Sequence, residues 1–227
     1  GKECRGMWGV SDPDNYSLIG TDASGLELRG LAHMMDDPIF IKEILEGDVH
    51  TANQKMAGLD NRDQAKTFIY ALMYGAGAAK IGKIVGGTAR EGEELISKFM
   101  KNMPKFSSLK NNLNQTVEKN GVIPGLDGRT LQVRSPHAAL NTLIQGAGAV
   151  ICKQWLVQIN EAYKRKGLDV KLVASIHDEY QFEVHNKDCE EFGKITKTAI
   201  KEVEEIYSFR CPLDSEYKVG KNWADTH

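Results

Sequence analysis

Residues Lys171-Leu-Val-Ala-Ser-Ile-His-Asp-Glu-Tyr-Gln-Phe-Glu-Val-His185 carry the clearest structural pattern in the chain. They predict two strands, Lys171–Ile176 and Tyr180–Val184, joined through His177-Asp178-Glu179. In the second strand, apolar residues at 180, 182 and 184 alternate with polar residues at 181, 183 and 185. Alternation with period two is typical of a half-buried strand. This stretch therefore predicts a strand pair with an acidic connection.

Other predicted elements lie on both sides of this pair. Further strand patterns cover Ser17–Ala23, Leu213–Val219 and a hairpin at Val122–Val133 around Asp127-Gly128. Helical patterns cover about Ser24–Met35, Ile39–Glu46, Val49–Met56, Asn61–Tyr74, Ala89–Asn102, His137–Lys166 and Asp188–Tyr207, and the region up to about residue 120 is helical in character. Strands at both ends with a helical insert predict an α+β fold, in which a sheet domain is interrupted by an α-helical subdomain.

Composition is that of a globular chain. The 227 residues include 29 Lys+Arg and 31 Asp+Glu, for a net charge of −2, with 41% hydrophobic and 26% charged residues. These values exclude a disordered tail and a collagen-like or Pro/Gly-rich repeat. No apolar run reaches the ~18 residues that cross a bilayer. With no apolar signal core and no paired cysteine motif among four cysteines, we expect a soluble intracellular protein.

The charges are unevenly distributed along the chain. Residues 62–90 and 101–134 each carry a net charge of +4, whereas residues 174–216 carry −6. A basic middle and an acidic end suit a polyanion with its divalent metals. Ordinary variation between solvated faces explains the same numbers equally well.

Two carboxylates stand at predicted strand ends. Asp22 ends the first strand and Asp178 lies in the connection of the strand pair, with Glu179 beside it. Adjacent strands of one sheet would bring both carboxylates together, and Mg²⁺ prefers such oxygen ligands. The alternative is that each Asp is a turn or cap residue.

A second group lies on the helix that begins at Asn61. Arg62, Lys66, Tyr70 and Tyr74 are spaced by four and share one helix face. Two cations near a helix N-terminus form an anion site, and an aromatic ring one turn further offers a stacking surface for a base. A solvated basic edge beside a core tyrosine is the alternative.

A third group follows Arg134 on the next helix. His137, Asn141 and Gln145 are also spaced by four, and amide groups on an apolar helix need hydrogen-bond partners. Donors here could contact the minor groove of a duplex without reading sequence. Amides bonded to the backbone are the alternative.

Three motifs together resemble a known family. Asp22-Ala-Ser-Gly-Leu-Glu27-Leu-Arg29 resembles motif A of the A family of DNA polymerases, and His177-Asp178-Glu179 resembles motif C. Arg62-Asp-Gln-Ala-Lys66-Thr-Phe-Ile-Tyr70-Ala-Leu-Met-Tyr74-Gly75 resembles motif B. The residues at 67–70, 75–77 and 134–141 are similar to those of the phage-replicase branch of this family. The resemblance runs from about Cys4 to His227.

The resemblance implies a role for each matched position. Asp22, Asp178 and the Ala23 carbonyl would hold two Mg²⁺ ions, for which Mn²⁺ can substitute, with Glu179 beside them. Arg62, Lys66 and His50 would bind the dNTP phosphates, and Lys66 would act as general acid. Tyr70 would stack near the incoming base, and Glu27 would exclude a ribose 2′-hydroxyl. The residues implied to contact primer-template DNA are Tyr74, Arg134, Asn141, Gln145 and His177.

The resemblance also implies a domain organisation. Residues 1–36 and 121–227 would form an antiparallel-sheet palm, and residues 37–120 an α-helical fingers subdomain. Family members carry a thumb and usually a 3′→5′ exonuclease domain before this region, and neither is in these 227 residues. We therefore expect a separate or removed N-terminal thumb/exonuclease polypeptide as a partner, no membrane association, and a cytoplasmic location, in a bacterial host if the protein is phage-encoded.

The expected function is template-directed DNA synthesis by Mg²⁺-dependent nucleotidyl transfer, and four alternatives stand beside it. A split subunit or fragment would be inactive without its N-terminal half. A single-subunit RNA polymerase is disfavoured by Glu27, and a non-catalytic nucleic-acid-binding remnant by intact Asp22, Lys66 and Asp178. A metal-dependent hydrolase would have no use for the basic helix face.

Overall fold

The computed structural model describes residues 1–227, which form two compact units. One unit consists of residues 1–26 and 148–227, and the other of residues 27–147. The elements are, in chain order, α1 (Lys2–Gly6), β1 (Tyr16–Ala23), α2 (Leu26–Met35), α3 (Pro38–Leu45), α4 (Val49–Ala57), α5 (Arg62–Met73), α6 (Ala78–Ile84), α7 (Ala89–Asn102), α8 (Pro104–Asn120), β2 (Val122–Pro124), β3 (Thr130–Gln132), α9 (Ala139–Arg165), β4 (Val170–Ile176), β5 (Glu179–His185), α10 (Cys189–Ile206), β6 (Ser215–Gly220) and α11 (Trp223–Thr226).

The first unit is built on a four-stranded antiparallel sheet in the order β4-β5-β1-β6. The predicted strand pair forms β4 and β5, and the two terminal strands lie beside it as β1 and β6. In this register Asp22 lies between Glu179 on one neighbouring strand and Glu216 on the other. The sheet therefore collects acidic residues from three strands at one end.

The two faces of β5 are buried by different means. On one face Tyr180, Phe182 and Val184 are buried, and the ring of Phe182 contacts Phe192 of α10 with ring centroids 4.8 Å apart. The other face was expected to be half exposed because its residues are polar. Glu179, Gln181 and Glu183 of this face are buried as well, since each has a partner on the N-terminal loop, on β4 or near the chain end, whereas His185 at the end of the strand is only partly buried.

The second unit consists mainly of helices. Helix α5 begins after Asn61, whose side chain accepts a hydrogen bond from the Gln64 amide at 2.8 Å. Its buried face includes Phe68, which starts an aromatic row through Phe99 and Phe106 with centroid distances of 5.2 and 5.5 Å. Burial of this face leaves the opposite, basic face of α5 at the surface. Strands β2 and β3 form the predicted hairpin.

The sequence pattern located the long elements to within a few residues except α8, for which it predicted only that the region up to about residue 120 is helical. Three short helices were not predicted as separate elements. These are α1, α6 and α11, of five, seven and four residues. The long helix also starts later than expected, because residues Pro136–Ala138 form a 3₁₀ turn and α9 begins at Ala139. None of the helices combines the length and the apolar character that a bilayer crossing requires.

Candidate active site: sheet carboxylates and a basic helix face

The end of β1 brings two predicted carboxylates close together. Asp22 pairs with Glu179 in the sheet register, and the next amide, that of Ala23, donates a hydrogen bond to the Asp178 carbonyl at 3.1 Å. Asp178 lies in the tight connection between β4 and β5, where His177 takes a positive φ of 54°. The His177 Nδ1 lies 3.1 Å from Asp178 Oδ1. The hairpin thus places Asp178 beside the end of β1, as the sequence predicted.

The electrostatics of Asp22 fit a cation site. Partial burial, and then the negative charges of Asp178 and Glu179, raise the pKa of Asp22 to about 6. A carboxylate whose charge is disfavoured by neighbouring carboxylates is stabilised by a divalent cation. Carboxylate and carbonyl oxygens are the ligands that Mg²⁺ prefers. The donor set of Asp22, Asp178 and the Ala23 carbonyl therefore suits Mg²⁺.

Glu179 differs from these two carboxylates because it is buried and fully engaged. Its side chain accepts hydrogen bonds from Trp223 Nε1 at 2.7 Å and Gln181 Nε2 at 2.5 Å, and His227 Nδ1 lies 2.5 Å away. Sequence reasoning placed Glu179 at the site and missed these three partners. The alternating pattern of β5 identified Gln181 as a polar residue, but no spacing linked position 179 to positions 223 and 227.

A cavity of about 240 Å³ opens next to Asp22. Besides Asp22 and Glu179, its lining includes Glu216, Lys218 and His227. Glu179 and Glu216 contribute carboxylates to this lining, Lys218 an ammonium group and His227 an imidazole. The neighbourhood of the sheet carboxylates is therefore polar and accessible to small solutes.

The basic face predicted on α5 is present in the second unit. Arg62 and Lys66 are exposed, and partial burial together with these two cations lowers the pKa of His50. A histidine whose protonation is opposed by two neighbouring cations lies in a positive field, which favours an anion. Arg62 is already paired with Asp48, with Nε 2.6 Å from Oδ2, and Asp48 also caps α4. Asp48 was not identified from the sequence.

An aromatic row continues from this cationic group. The ring centroids of His50 and Tyr70 are 6.3 Å apart, and those of Tyr70 and Tyr74 are also 6.3 Å apart. The Tyr74 hydroxyl donates to both oxygens of Glu27, at 2.8 and 2.6 Å. Tyr74 and Glu27 are 47 residues apart in the chain, so their contact could not be predicted from helical spacing.

The third predicted group, which follows Arg134, does not lie on a single helix. Arg134 is exposed after β3, and His137 lies in the 3₁₀ turn before α9. Asn141 and Gln145 are half-buried on α9, and Gln145 Nε2 donates to Glu27 Oε1. Sequence reasoning expected Gln145 to need a polar partner, and the structure identifies that partner as the Glu27 carboxylate.

Comparisons with known proteins agree with these motifs. The family model for DNA polymerase family A matches residues 1–225. The chain is 42% identical to a DNA-directed DNA polymerase of Enterobacteria phage T3 and 41% identical to one of Escherichia phage T7. Each match covers 100% of this chain and 36% of the relative. The chain thus spans little more than a third of the length of these relatives.

A solved structure shares the fold. The POL domain of Pol1 from M. smegmatis, in complex with DNA primer-template and dNTP, superposes with a TM-score of 0.89 at 21% identity. The match covers 99% of this chain and 42% of that one. At this identity the likeness shows the fold alone. From the extent of the family match and the identity to the phage proteins, the chain belongs to DNA polymerase family A.

Proposed function

We propose that this chain carries out template-directed DNA synthesis by Mg²⁺-dependent nucleotidyl transfer, as the palm and fingers part of a phage-type replicative polymerase. The observation that carries the proposal is the placement of Asp22 and Asp178 at neighbouring strand ends in a family A chain. In this proposal the palm comprises residues 1–36 and 121–227, and the fingers residues 37–120.

The sheet carboxylates are proposed as the metal site. Asp22, Asp178 and the Ala23 carbonyl would hold two Mg²⁺ ions. Bound Mg²⁺ supplies Lewis-acid activation of a primer 3′-hydroxyl and neutralises charge on the triphosphate. Glu179 is proposed as a catalytic residue beside them, and its contacts with Trp223, Gln181 and His227 hold it at this sheet end.

The basic face of α5 is proposed as the triphosphate site. Lys66 and Arg62 would bind the β- and γ-phosphates with His50 as a further donor, and the positive field around His50 supports this assignment. Arg62 would exchange Asp48 for phosphate, which is a competition between two anions. Lys66 would protonate the leaving pyrophosphate as general acid.

The remaining site residues are proposed to select the nucleotide and contact DNA. Tyr70 would stack near the incoming base, and Glu27 would exclude a ribose 2′-hydroxyl from a position fixed by Tyr74 and Gln145. Residues proposed for the primer-template are Tyr74, Arg134, Asn141, Gln145 and His177. Gln145 would have to share its amide between Glu27 and the DNA.

A second candidate function has its own support. Because the chain spans 36% of its phage relatives, it would act as one part of a longer or split polymerase that needs the remaining polypeptide for activity. Both candidate functions use the same chemical centre. They differ only in whether these 227 residues are sufficient for DNA synthesis without further polypeptide.

Primer extension tests the proposal. The chain is assayed with labelled primer-template, dNTPs and Mg²⁺, alone and with the part of the phage T7 polymerase that lies outside the match. Asp22→Ala and Asp178→Ala should each reduce extension by roughly 10³-fold or more, since each removes a metal ligand. Glu205→Ala, which removes an exposed carboxylate on α10, is the matched control. Near-normal extension by either aspartate variant, or no extension under either condition, contradicts the proposal.

A further inference from the structure

We propose that an apolar groove on the first unit is a docking surface for an apolar segment of the additional polypeptide that the longer family members carry. The groove has a volume of about 360 Å³. Its apolar lining comprises Trp8, Leu18, Val173, Ala174, Ile176 and Trp223. All of these residues belong to the unit of residues 1–26 and 148–227.

The exposed side chains of this groove are large and apolar. Trp8 is 69% exposed and Val173 is 53% exposed, whereas Leu18, at 4%, forms part of the floor. Met7, next to Trp8, is 83% exposed. Apolar side chains clustered around a concave surface are typical of a site that a partner covers.

The strand at the rim of the groove is an unpaired edge. β4 is the outer strand of the sheet, and its pairing with β5 shifts register between Leu172 and Ala174, so Val173 is the extra residue of a bulge. Edge strands are usually protected by charges or bulges, or are covered by another segment. This edge has Lys171 and the bulge, and it still places two exposed apolar residues in succession, Leu172 at 43% and Val173 at 53%. These two side chains are the part of the edge that a covering polypeptide would bury.

The lining of the groove argues against nucleic acid as its occupant. It contains no Lys or Arg, and its one charged residue is Glu183. DNA and RNA bind mainly through cations that neutralise phosphates. The Glu183 carboxylate is engaged by Ser11 and Lys171, which leaves the apolar surface as the attractive part. An apolar peptide segment would bury this surface without leaving a charge unpaired.

The occupant follows from the lengths of the relatives. About two thirds of the phage T3 and T7 polymerases lies outside the region matched by this chain. The matched region includes every residue that lines the groove. The segment that covers the groove is therefore assigned to that additional polypeptide, joined to this chain or supplied separately.

The test measures binding without nucleotide, metal or DNA, so its failure is separate from failure of the proposed catalysis. The probe is the part of the phage T7 polymerase that lies outside the match, titrated into the full 227-residue chain. Binding should shift the tryptophan emission to shorter wavelength, because Trp8 and the partly exposed Trp223 line the groove and become covered, while Trp155 is already fully buried. Trp8→Phe should retain binding, measured by calorimetry, and give a smaller shift than wild type.

Surface variants locate the site. Trp8→Ser and Val173→Lys should each weaken binding at least tenfold, and both alter exposed side chains, so circular dichroism should show an unchanged fold. Ile206→Lys, at a 51% exposed residue outside the groove, is the matched control and should bind normally. Absence of binding, or equal binding by the groove variants and wild type, overturns the proposal. Concentration-dependent dimers that Val173→Lys abolishes would identify a second copy as the occupant and also overturn it.

Discussion

At the scale of single residues, β5 shows how polar side chains become part of a core. Glu179, Gln181 and Glu183 are 5%, 1% and 7% exposed, and each has at least one polar partner. A buried carboxylate without such partners would cost several kcal/mol or change its protonation state. These side chains therefore depend on the N-terminal loop, β4 and the chain end to remain buried.

Glu183 yields a prediction on acid stability. The Ser11 amide, which donates to its carboxylate at 3.0 Å, lowers the pKa of Glu183, and the Ser11 hydroxyl and Lys171 act in the same direction. A lowered folded-state pKa adds stability above the ordinary value of 4.5. That stability is lost as the pH falls through the folded-state value. Glu183→Gln should therefore be less stable than wild type at pH 7. Its free energy of unfolding should fall less than that of wild type as the pH drops below 4.5.

Urea unfolding at several pH values measures this difference. Glu205→Gln, at an exposed glutamate on α10, is the control for general acid effects. An identical pH dependence in Glu183→Gln and wild type would show that the Ser11 contact contributes nothing to acid stability.

Glu27 gives a prediction on nucleotide choice. Its carboxylate is fixed by Tyr74 and Gln145. Under the proposed function, Glu27→Ala opens the space under the sugar, and use of ribonucleotides relative to deoxynucleotides should rise about tenfold or more. The measurement is incorporation of rATP against dATP in primer extension. Glu94→Ala, at an exposed glutamate on α7, is the control. If Glu27→Ala uses rATP and dATP in the same ratio as wild type, the steric role of Glu27 has no support.

At the scale of elements, α6 and α7 approach closely because both carry glycine at the contact. A Cβ on Gly92 of α7 would overlap the Ala78 carbonyl oxygen and lie 2.6 Å from the Gly82 amide nitrogen. These neighbours are backbone atoms and cannot rotate away. Helix α6 was not predicted from the sequence, because its contact with α7 stabilises a seven-residue segment that is too short to be a stable helix alone.

This contact predicts opposite effects for two glycine substitutions. Gly92→Ala should destabilise the chain by about 1–3 kcal/mol, because the two helices must separate. Gly30→Ala lies in helix α2 with nothing within 4 Å of the new methyl group, so it should stabilise the chain by about 0.5–1 kcal/mol. Urea denaturation of both variants gives the two values. A Gly92→Ala variant that is as stable as wild type, or more stable, would contradict the close approach of the two helices.

At the scale of the whole molecule, charge governs the expected contact with DNA. The net charge is −2, and segments 62–90 and 101–134 each have a net charge of +4. Affinity for a duplex grows with the number of phosphates that Lys and Arg neutralise. Under the proposed function, a chain that spans 36% of its relatives would supply only part of such contacts.

We therefore predict weak binding of primer-template that falls steeply with salt, and extension that is distributive or absent at physiological salt. Labelled primer-template titrated at a series of NaCl concentrations gives the slope of log affinity against log salt. The remaining part of the phage T7 polymerase, when added, should raise affinity and extension. Tight binding by the 227 residues alone, with little salt dependence, would show that the chain is self-sufficient.

How much of this protein could be predicted from sequence varied with the range of the interaction. The long elements, the α+β class and the basic face of α5 follow from patterns of two to four residues, which local backbone geometry imposes. The motifs also indicated the family and the pair Asp22 and Asp178. The division into palm and fingers at residues 37 and 121, and the role of each site residue, stay predictions.

The tertiary structure alone decided the contacts between distant segments. Burial of the polar face of β5, the engagement of Glu179 by Trp223 and His227, and the pairing of Arg62 with Asp48 have no signature in spacing. The same is true of the bond from Gln145 to Glu27, which joins residues 118 positions apart. A polar residue in a buried position predicts that it has a hydrogen-bond partner. Local patterns do not identify this partner, because sheet register and helix packing determine which remote segment lies next to the residue.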